Sequence, residues 1–249
     1  MNQANTQAVK VALVTGAARR IGAAIVHQLH QAGFRVVIHC HQSLAEAEAL
    51  AKILNQQRPN SAYLLQKDLA ASNATNELIT AVLTWAGRID LLVNNASIFK
   101  RSDCTAFNEE DWDALLDINV KVPFRLSLAA QPHLALHEGV IINLTDIHAD
   151  KPLKGYAVYC QSKAALAMQT KALAREFAPS VRVNAIAPGA IAWPEQANTL
   201  SVATQRQIIA ETPLKRHGSP EYIAQAVLAL AENPFITGQI LNVDGGRSL

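Results

Sequence analysis

Tyr159 and Lys163 are the two side chains whose types and spacing point most directly to chemistry in this 249-residue chain. They stand four residues apart, so on a helix they share one face, one turn from each other. An ammonium close to a phenol favours the phenolate and lowers a pKa that is about 10 in water. We therefore expect a tyrosine that can pass a proton near neutral pH.

An acid stands upstream of this pair, at the end of an apolar run. Asp146 lies thirteen residues before Tyr159. A carboxyl group beside the tyrosine could hold and pass a proton, and its ionised form would oppose deprotonation of the phenol. The two groups would then titrate as a coupled pair.

Apolar runs that alternate with helical patterns must position these side chains. Strands are predicted at 9–15, 35–39, 62–66, 91–94, 140–144, 181–187 and 239–243, and helices at 22–32, 43–57, 76–85, 108–134 with an interruption at Pro123, 159–177 and from 220 onward. Nearly continuous apolar strands separated by helices are typical of a parallel sheet covered on both faces. We predict an α/β fold, a single doubly wound parallel sheet in one domain over 1–249, with ligands outside the carboxyl ends of the strands.

Composition narrows the class of partner. The net charge is only +2, which argues against nucleic acid, because a phosphate backbone usually demands a basic stripe. The three cysteines are far apart and lack metal-ligand spacing, so we expect a reducing compartment and no metal. Residues 1–8 lack the features of a signal peptide, and no run approaches the roughly 18 apolar residues of a membrane span. A soluble, cytoplasmic protein acting on a small molecule is expected.

The segment TGAARRIG follows the first predicted strand and opens the first helix. Gly16 would allow the tight turn, and Gly22 would let the helix begin close to a diphosphate. The second strand ends without the acid that usually accepts the ribose hydroxyls in NAD sites. His41, Ser43, Arg19 and Arg20 could instead bind a 2′-phosphate, which predicts NADPH. His39 is expected to face solvent at the strand end.

Six segments together resemble the short-chain dehydrogenase/reductase family: TGAARRIG, NNAS at 94–97, DINVKVPF around Asn119, YCQSK at 159–163, PG at 188–189 and VDGG at 243–246. The resemblance covers nearly the whole chain. It implies an NAD(P)-binding Rossmann fold, commonly as a homotetramer. It also implies that Tyr159 donates the proton, that Lys163 holds the nicotinamide ribose and lowers the tyrosine pKa, and that Asn119 orders a proton-relay water.

Two departures from the family pattern refine this. Arg20 stands where the family usually has glycine, and Asp146 stands where it usually has the catalytic serine. Both, together with KPLKGYAVYCQSK and ALAKILNQQRPNSA, resemble the pteridine reductases, although Gln42 replaces an arginine often found after their second strand. This implies hydride transfer from NADPH to a dihydropterin such as dihydrobiopterin or dihydromonapterin, with dihydrofolate as a further candidate.

The same resemblance implies a set of site residues. The catalytic group is Asp146, Tyr159, Lys163 and Asn119. The cofactor would be bound by Gly16, Arg19, Arg20, Ile21, Gly22, His41, Ser43, Asp68, Leu69, Asn95, Ala96, Ser97, Tyr159, Lys163, Pro188 and Gly189. The pterin would be bound by Arg20, Ser97, Phe99, Asp146, Tyr159 and Trp193, with Phe99 stacking on its ring and Trp193 covering it from a lid at about 190–218.

Two alternatives remain open. A carbonyl reductase such as a 3-oxoacyl reductase would keep the fold, but Asp146 and Arg20 count against it. A non-catalytic NADPH-binding sensor would have no need of a proton relay, so Tyr159, Lys163 and Asn119 count against that.

Overall fold

A single sheet of seven parallel strands forms the centre of the protein, in the order β3-β2-β1-β4-β5-β6-β7. The computed structural model describes residues 9–195 and 198–249, so residues 1–8 and part of the expected lid lie outside it. The strands are β1 Val11–Val14, β2 Arg35–Cys40, β3 Ala62–Gln66, β4 Leu91–Asn94, β5 Val140–Leu144, β6 Arg182–Pro188 and β7 Ile240–Val243. The predicted doubly wound parallel sheet is confirmed.

Helices cover both faces of the sheet. They are α1 Arg20–Gln31, α2 Leu44–Gln57, α3 Ala74–Ala86, α4 Glu109–Leu116, α5 Val122–Ala135, α6 Ala157–Glu176, α7 Val202–Glu211 and α8 Pro220–Glu232. One buried cluster joins α1, α2 and α8 to one face of the sheet, and a second joins α3, α5 and α6 to the other. Among the described residues, no helix has the length and apolarity needed to cross a membrane.

The direction in which the chain adds strands to the sheet changes at β1. The connections from β1 run outward through β2 to β3, and the chain then returns to place β4 on the other side of β1. A crevice opens at such a switch point, outside the carboxyl ends of the two diverging strands. The turn after β1 and the segment after β4 therefore meet there, as do the segments after β5 and β6.

The long helix expected at 108–134 contains a π-helical turn, Asp117–Lys121, between α4 and α5. Pro123 follows this turn at the start of α5. Proline has no N–H, so it cannot donate to the carbonyl four residues back, which is that of Asn119. Single π turns are frequent at functional sites, and this one carries a predicted site residue.

Helix α7 lies within 190–218, where no element was predicted. None of its residues is buried, so the sequence has no apolar stripe to reveal it. Its N-terminal signal is Ser201, whose hydroxyl accepts from the Thr204 N–H. A capping residue alone is a weak signal in a polar stretch.

Candidate active site

Asp146 and Tyr159 are in direct contact. The Tyr159 hydroxyl donates to Asp146 Oδ2 at 2.6 Å, while Asp146 Oδ1 accepts from the His148 N–H at 2.9 Å. Asp146 follows β5 and caps a 3₁₀ turn, and Tyr159 lies in the first turn of α6. The carboxyl group predicted to sit beside the tyrosine therefore does so, with both of its oxygens accepting hydrogen bonds.

Lys163 lies one turn further along α6 and is only 2 % exposed. Its Nζ donates to the Leu144 carbonyl at 2.9 Å and lies 5.7 Å from the centre of the Tyr159 ring. Burial lowers the pKa of the Lys163 ammonium to about 8, although the nearby charge of Asp146 acts in the opposite direction. The lysine is thus held beside the tyrosine at a fixed position.

The expected lowering of the tyrosine pKa is wrong for this structure. Burial, and then the adjacent Asp146 carboxylate, raise the pKa of Tyr159 well above its usual value. The reason is geometric: Asp146 touches the hydroxyl itself, whereas the Lys163 ammonium is bonded to a backbone carbonyl. Tyr159 therefore stays protonated at neutral pH.

Asn119 is buried in the π-helical turn, and its side-chain amide is fully used. Its Oδ1 accepts from the Ile98 N–H at 2.8 Å and from the Ser97 hydroxyl at 3.1 Å, and its Nδ2 donates to Ile98 O at 2.9 Å and to the Ser162 hydroxyl at 3.0 Å. An amide has two donors and two acceptor positions. Any water bound by Asn119 must therefore use its main-chain carbonyl, the group that Pro123 leaves without its α-helical donor.

The turn after β1 is held open by neighbouring polar groups. The Asn95 side chain donates to the carbonyls of Thr15 and Gly16, at 2.8 and 2.9 Å, and the Thr15 hydroxyl accepts from the N–H groups of Asn95 and Ala96, both at 3.0 Å. A Cβ on Gly22 would overlap the Gly16 carbonyl, and one on Gly16 would lie 2.9 Å from the Ala96 Cα. Glycine is therefore required at both positions.

Helix α1 begins at this turn, where its first N–H groups have no partner within the helix. Its N-cap residue, Arg19, makes no side-chain cap bond, and its first turn has no acidic residue. Such a helix start attracts a diphosphate through its N–H groups and its dipole. Arg20 has φ +54°, in the left-handed region that favours glycine, so it follows the backbone path of the family glycine while adding a guanidinium. The donor set fits the expected dinucleotide.

His39 does not face solvent, contrary to the prediction. It is 2 % exposed, its Nδ1 accepts from the Gly16 N–H at 3.2 Å, and its Nε2 donates to Lys67 O at 2.9 Å. Burial lowers its pKa to about 4, so the ring stays neutral and keeps both bonds. His39 thus braces the turn after β1 against the segment after β3.

The residues expected around the adenosine end lie near the carboxyl ends of β2 and β3. Ser43 is the N-cap of α2 and makes no cap bond with its side chain, and His41 is exposed beside it. Asp68 accepts from the Ala70 N–H at 2.9 Å, and Leu69 is buried. Arg19 Nη1 lies 3.8 Å from Glu46 Oε1 in the first turn of α2, so the Arg19 guanidinium lies near the carboxyl end of β2.

Asp146 and Tyr159 form a hydrogen-bonded dyad, and the rings of Phe99 and Tyr156 pack beside it. Phe99 stacks on Tyr156 with ring centres 4.5 Å apart, and it meets Tyr159 edge-on at 4.8 Å. Tyr156 was not among the predicted residues, although its position three residues before Tyr159 places it on the same side of the chain. One face of Phe99 is therefore already covered by an aromatic ring.

The lid segment contacts the turn after β1. Arg20 Nη2 donates to the Trp193 carbonyl at 2.7 Å, and Glu195 lies 3.9 Å from Arg19. The Trp193 ring packs on His217, with centres 4.2 Å apart. Pro188 ends β6 and Gly189 follows it, where an added Cβ would lie 2.6 Å from that of Asp244.

Other contributors gave little signal in the sequence. Ser162 is fully buried, accepts from Asn119 and donates to the Tyr159 carbonyl at 2.7 Å. Asn198, within the lid, bonds both Phe99 and Tyr156. Within residues 9–195 and 198–249, no group of three or more His, Cys, Asp or Glu side chains is arranged to hold a metal ion.

Comparison with known proteins identifies relatives over nearly the whole chain. The family model described as enoyl-(acyl carrier protein) reductase matches residues 16–248. The 3-oxoacyl-[acyl-carrier-protein] reductase FabG of Staphylococcus epidermidis is 37 % identical over 241 residues, which cover 95 % of this chain and 98 % of that protein. A putative ketoacyl reductase of granaticin polyketide synthase, from Streptomyces violaceoruber, is 35 % identical over 96 % of both chains.

Solved structures show the same fold. The FolM alternative dihydrofolate reductase 1 of Brucella suis, crystallised with NADP, superposes with a TM-score of 0.90 at 35 % identity, covering 97 % of this chain and 96 % of that one. The Brucella canis protein of the same name, also with NADP, gives the same TM-score and identity. The sequence relatives, the solved structures and the geometry together lead to one conclusion: this chain belongs to the short-chain dehydrogenase/reductase family.

Proposed function

We propose that the protein is an NADPH-dependent pteridine reductase that reduces a dihydropterin, or dihydrofolate, to its tetrahydro form. The observation that carries this is the hydrogen bond of 2.6 Å between the Tyr159 hydroxyl and the Asp146 carboxylate. A carbonyl substrate needs one donor to its oxygen, which a serine supplies. A pterin presents a C=N bond, whose carbon becomes a better hydride acceptor once the nitrogen is protonated.

The dyad is suited to protonating nitrogen. Tyr159 keeps its proton because burial and Asp146 raise its pKa, so the proton is available for the substrate nitrogen, while Asp146 holds the hydroxyl in position. The hydrogen bond joins the two groups, so we assign protonation of the substrate to the pair. The Lys163 ammonium limits the negative charge that builds up when the dyad has given up its proton.

The residues around the turn after β1 support NADPH as the cofactor. When bound, the cofactor supplies the hydride. The free N–H groups at the start of α1 would hold its diphosphate, with Arg19 and Arg20 adding positive charge. The end of β2 has no acid to repel a 2′-phosphate, and Ser43 and His41 lie there with side chains that can bind one. The solved neighbours crystallised with NADP support the same choice.

A 3-oxoacyl reductase is the second candidate, because relatives of that name are 37 % identical to this chain over nearly its whole length. Against it stands Asp146. A carboxylate that accepts from Tyr159 offers no hydroxyl donor to a ketone oxygen, and it repels the oxyanion that hydride transfer to a ketone produces.

A substrate panel decides between the two. NADPH oxidation is followed by absorbance with dihydrobiopterin, dihydromonapterin and dihydrofolate, and in parallel with an acetoacetyl thioester. We expect kcat/KM to be higher for at least one of the pterins than for the thioester. A higher value for the thioester would replace the proposed function with the second candidate.

A further inference from the structure

We infer that Asn198 is a positioning residue, a latch by which the lid fixes the aromatic platform formed by Phe99 and Tyr156. The Asn198 side chain accepts from the Tyr156 hydroxyl at 2.9 Å and donates to the Phe99 carbonyl at 2.9 Å. One side chain of the lid thus bonds both members of the stacked pair. The inference rests on the proposed function only for the identity of the substrate.

The chemistry of this contact requires an amide. The Tyr156 hydroxyl needs an acceptor and the Phe99 carbonyl needs a donor, and a carboxamide offers one of each at the end of a short stem. Aspartate has the same shape, but when ionised it only accepts, so it would set a carboxylate oxygen against the Phe99 carbonyl. Asparagine satisfies both partners.

The bonds reach the reacting centre through ring contacts. Tyr156 is 4 % exposed, with the Phe99 ring 4.5 Å away and the Arg101 guanidinium 5.1 Å from its centre. These contacts hold the Tyr156 ring, and the hydrogen bond to Asn198 fixes the direction of its hydroxyl. Phe99 in turn meets the Tyr159 ring edge-on at 4.8 Å. A shift of the Phe99 ring would therefore change the packing against Tyr159, the proposed proton donor.

The lid is held at two places of different chemistry. On the side of the turn after β1, Arg20 and Arg19 contact Trp193 and Glu195. On the side of the aromatic platform, Asn198 makes the two bonds described above. Movement of Asn198 away from the two rings would break both bonds, so we infer that the position of the lid and the order of the platform are coupled. Loss of Asn198 should therefore weaken substrate binding and leave cofactor binding intact.

The test compares Asn198→Ala, Asn198→Asp and Tyr156→Phe with Gln207→Ala. Gln207 is an exposed amide on α7 whose side chain donates to Glu211, one turn further along the same helix, so it is a matched control within the same segment. Loss of the two bonds in Asn198→Ala should raise KM for the pterin about tenfold, with the NADPH KM unchanged. The pterin KM of the double variant, Asn198→Ala with Tyr156→Phe, should be no higher than that of Asn198→Ala alone. The bond that Tyr156→Phe removes, from the Tyr156 hydroxyl to Asn198, is already lost in Asn198→Ala.

A second readout needs no substrate. Hydrogen–deuterium exchange of the peptide that covers α7 reports opening of the lid. We expect faster exchange in both Asn198 variants and in Tyr156→Phe, and no change in Gln207→Ala. Unchanged exchange in all four variants would overturn the latch, whatever the substrate is. Faster exchange with no turnover of any pterin by the wild type would keep the latch and reject the proposed function.

Discussion

The Tyr159 hydroxyl donates to Asp146 Oδ2 at 2.6 Å, and this contact gives the site its character. In the common family pattern the same position holds a serine, which can donate to a substrate oxygen. Here the position holds an acceptor that raises the pKa of the tyrosine. Tyr159 therefore stays protonated, and we propose that it gives this proton to a ring nitrogen of the substrate.

Replacement of Asp146 by serine tests this assignment. We expect Asp146→Ser to lower kcat/KM for the pterin about a hundredfold, the usual range for loss of an acid–base group. The NADPH KM should stay the same, since the Asp146 side chain bonds Tyr159 and His148, neither of which we assign to the cofactor diphosphate. Asp150→Ser, an exposed acid four residues later, is the control. Unchanged pterin kinetics in Asp146→Ser would remove the role proposed for the carboxylate.

Removal of the Tyr159 hydroxyl is a stronger test of the reaction. We expect Tyr159→Phe to abolish turnover while it still binds NADPH, measured by quenching or enhancement of cofactor fluorescence. The ring contact with Phe99 is preserved in this variant, so the platform stays in place. Tyr63→Phe, on β3, should retain full activity. Measurable pterin reduction by Tyr159→Phe would mean that another group delivers the proton.

Arg20 combines a strained backbone with a functional side chain, and two variants separate them. Arg20→Gly relieves the φ of +54° and removes the guanidinium, whereas Arg20→Ala removes only the guanidinium. We expect Arg20→Gly to be more stable than Arg20→Ala by about 1 kcal/mol in urea unfolding. Both should raise the NADPH KM to a similar extent. If Arg20→Gly alone retained wild-type NADPH affinity, the side chain would have no part in binding.

Much of this fold was predictable because each strand is a continuous apolar run and each turn at the crevice has small or polar residues. The spacing of Tyr159 and Lys163, and the position of Asp146 after β5, likewise predicted which side chains would meet. The π-helical turn was not predictable, since only Pro123 marks it, as an interruption. The pKa direction of Tyr159 was missed because the spacing of residues in the sequence shows neither how deeply the phenol is buried nor that Asp146 lies nearer to it than Lys163 does.

Contacts that depend on the path of loops could not be predicted from the sequence. His39 ends a strand in a polar stretch, which is typical of an exposed residue, yet the turn after β1 folds over it. Asn198 lies in a segment without a pattern, and its partners are about 40 and 100 residues away along the chain. Side chains that join two loops carry no periodic signal.

His39 makes a testable contribution to stability in acid. The pKa of His39 in the folded protein, about 4, lies below the usual histidine pKa of 6.5, so its contribution to stability is fully present above pH 6.5 and is lost as the pH falls toward 4. The shift corresponds to on the order of 3 kcal/mol. The difference in unfolding free energy between the wild type and His39→Gln should narrow over this range. In His137→Gln, an exposed histidine, the difference from the wild type should stay constant.

Lys163 gives the clearest link between stability and function. Burial lowers its pKa from 10.5 to about 8, so the folded protein bears the cost of a buried charge at neutral pH. Lys163→Met keeps the length of the side chain without the charge. We expect it to abolish turnover and to raise the unfolding free energy at pH 7 by about 1–3 kcal/mol.

The pH dependence gives the sign that distinguishes this cause from better packing. As the pH rises from about 8 to 10.5, the wild-type lysine is neutral when folded but still protonated when unfolded, so the wild type gains stability. The advantage of Lys163→Met over the wild type should therefore shrink across this window, measured by urea unfolding at both ends. Lys171→Met, an exposed lysine on the same helix, should show no such trend. A constant advantage of Lys163→Met from pH 7 to 10.5 would mean that its gain comes from packing and that the buried ammonium costs the fold little.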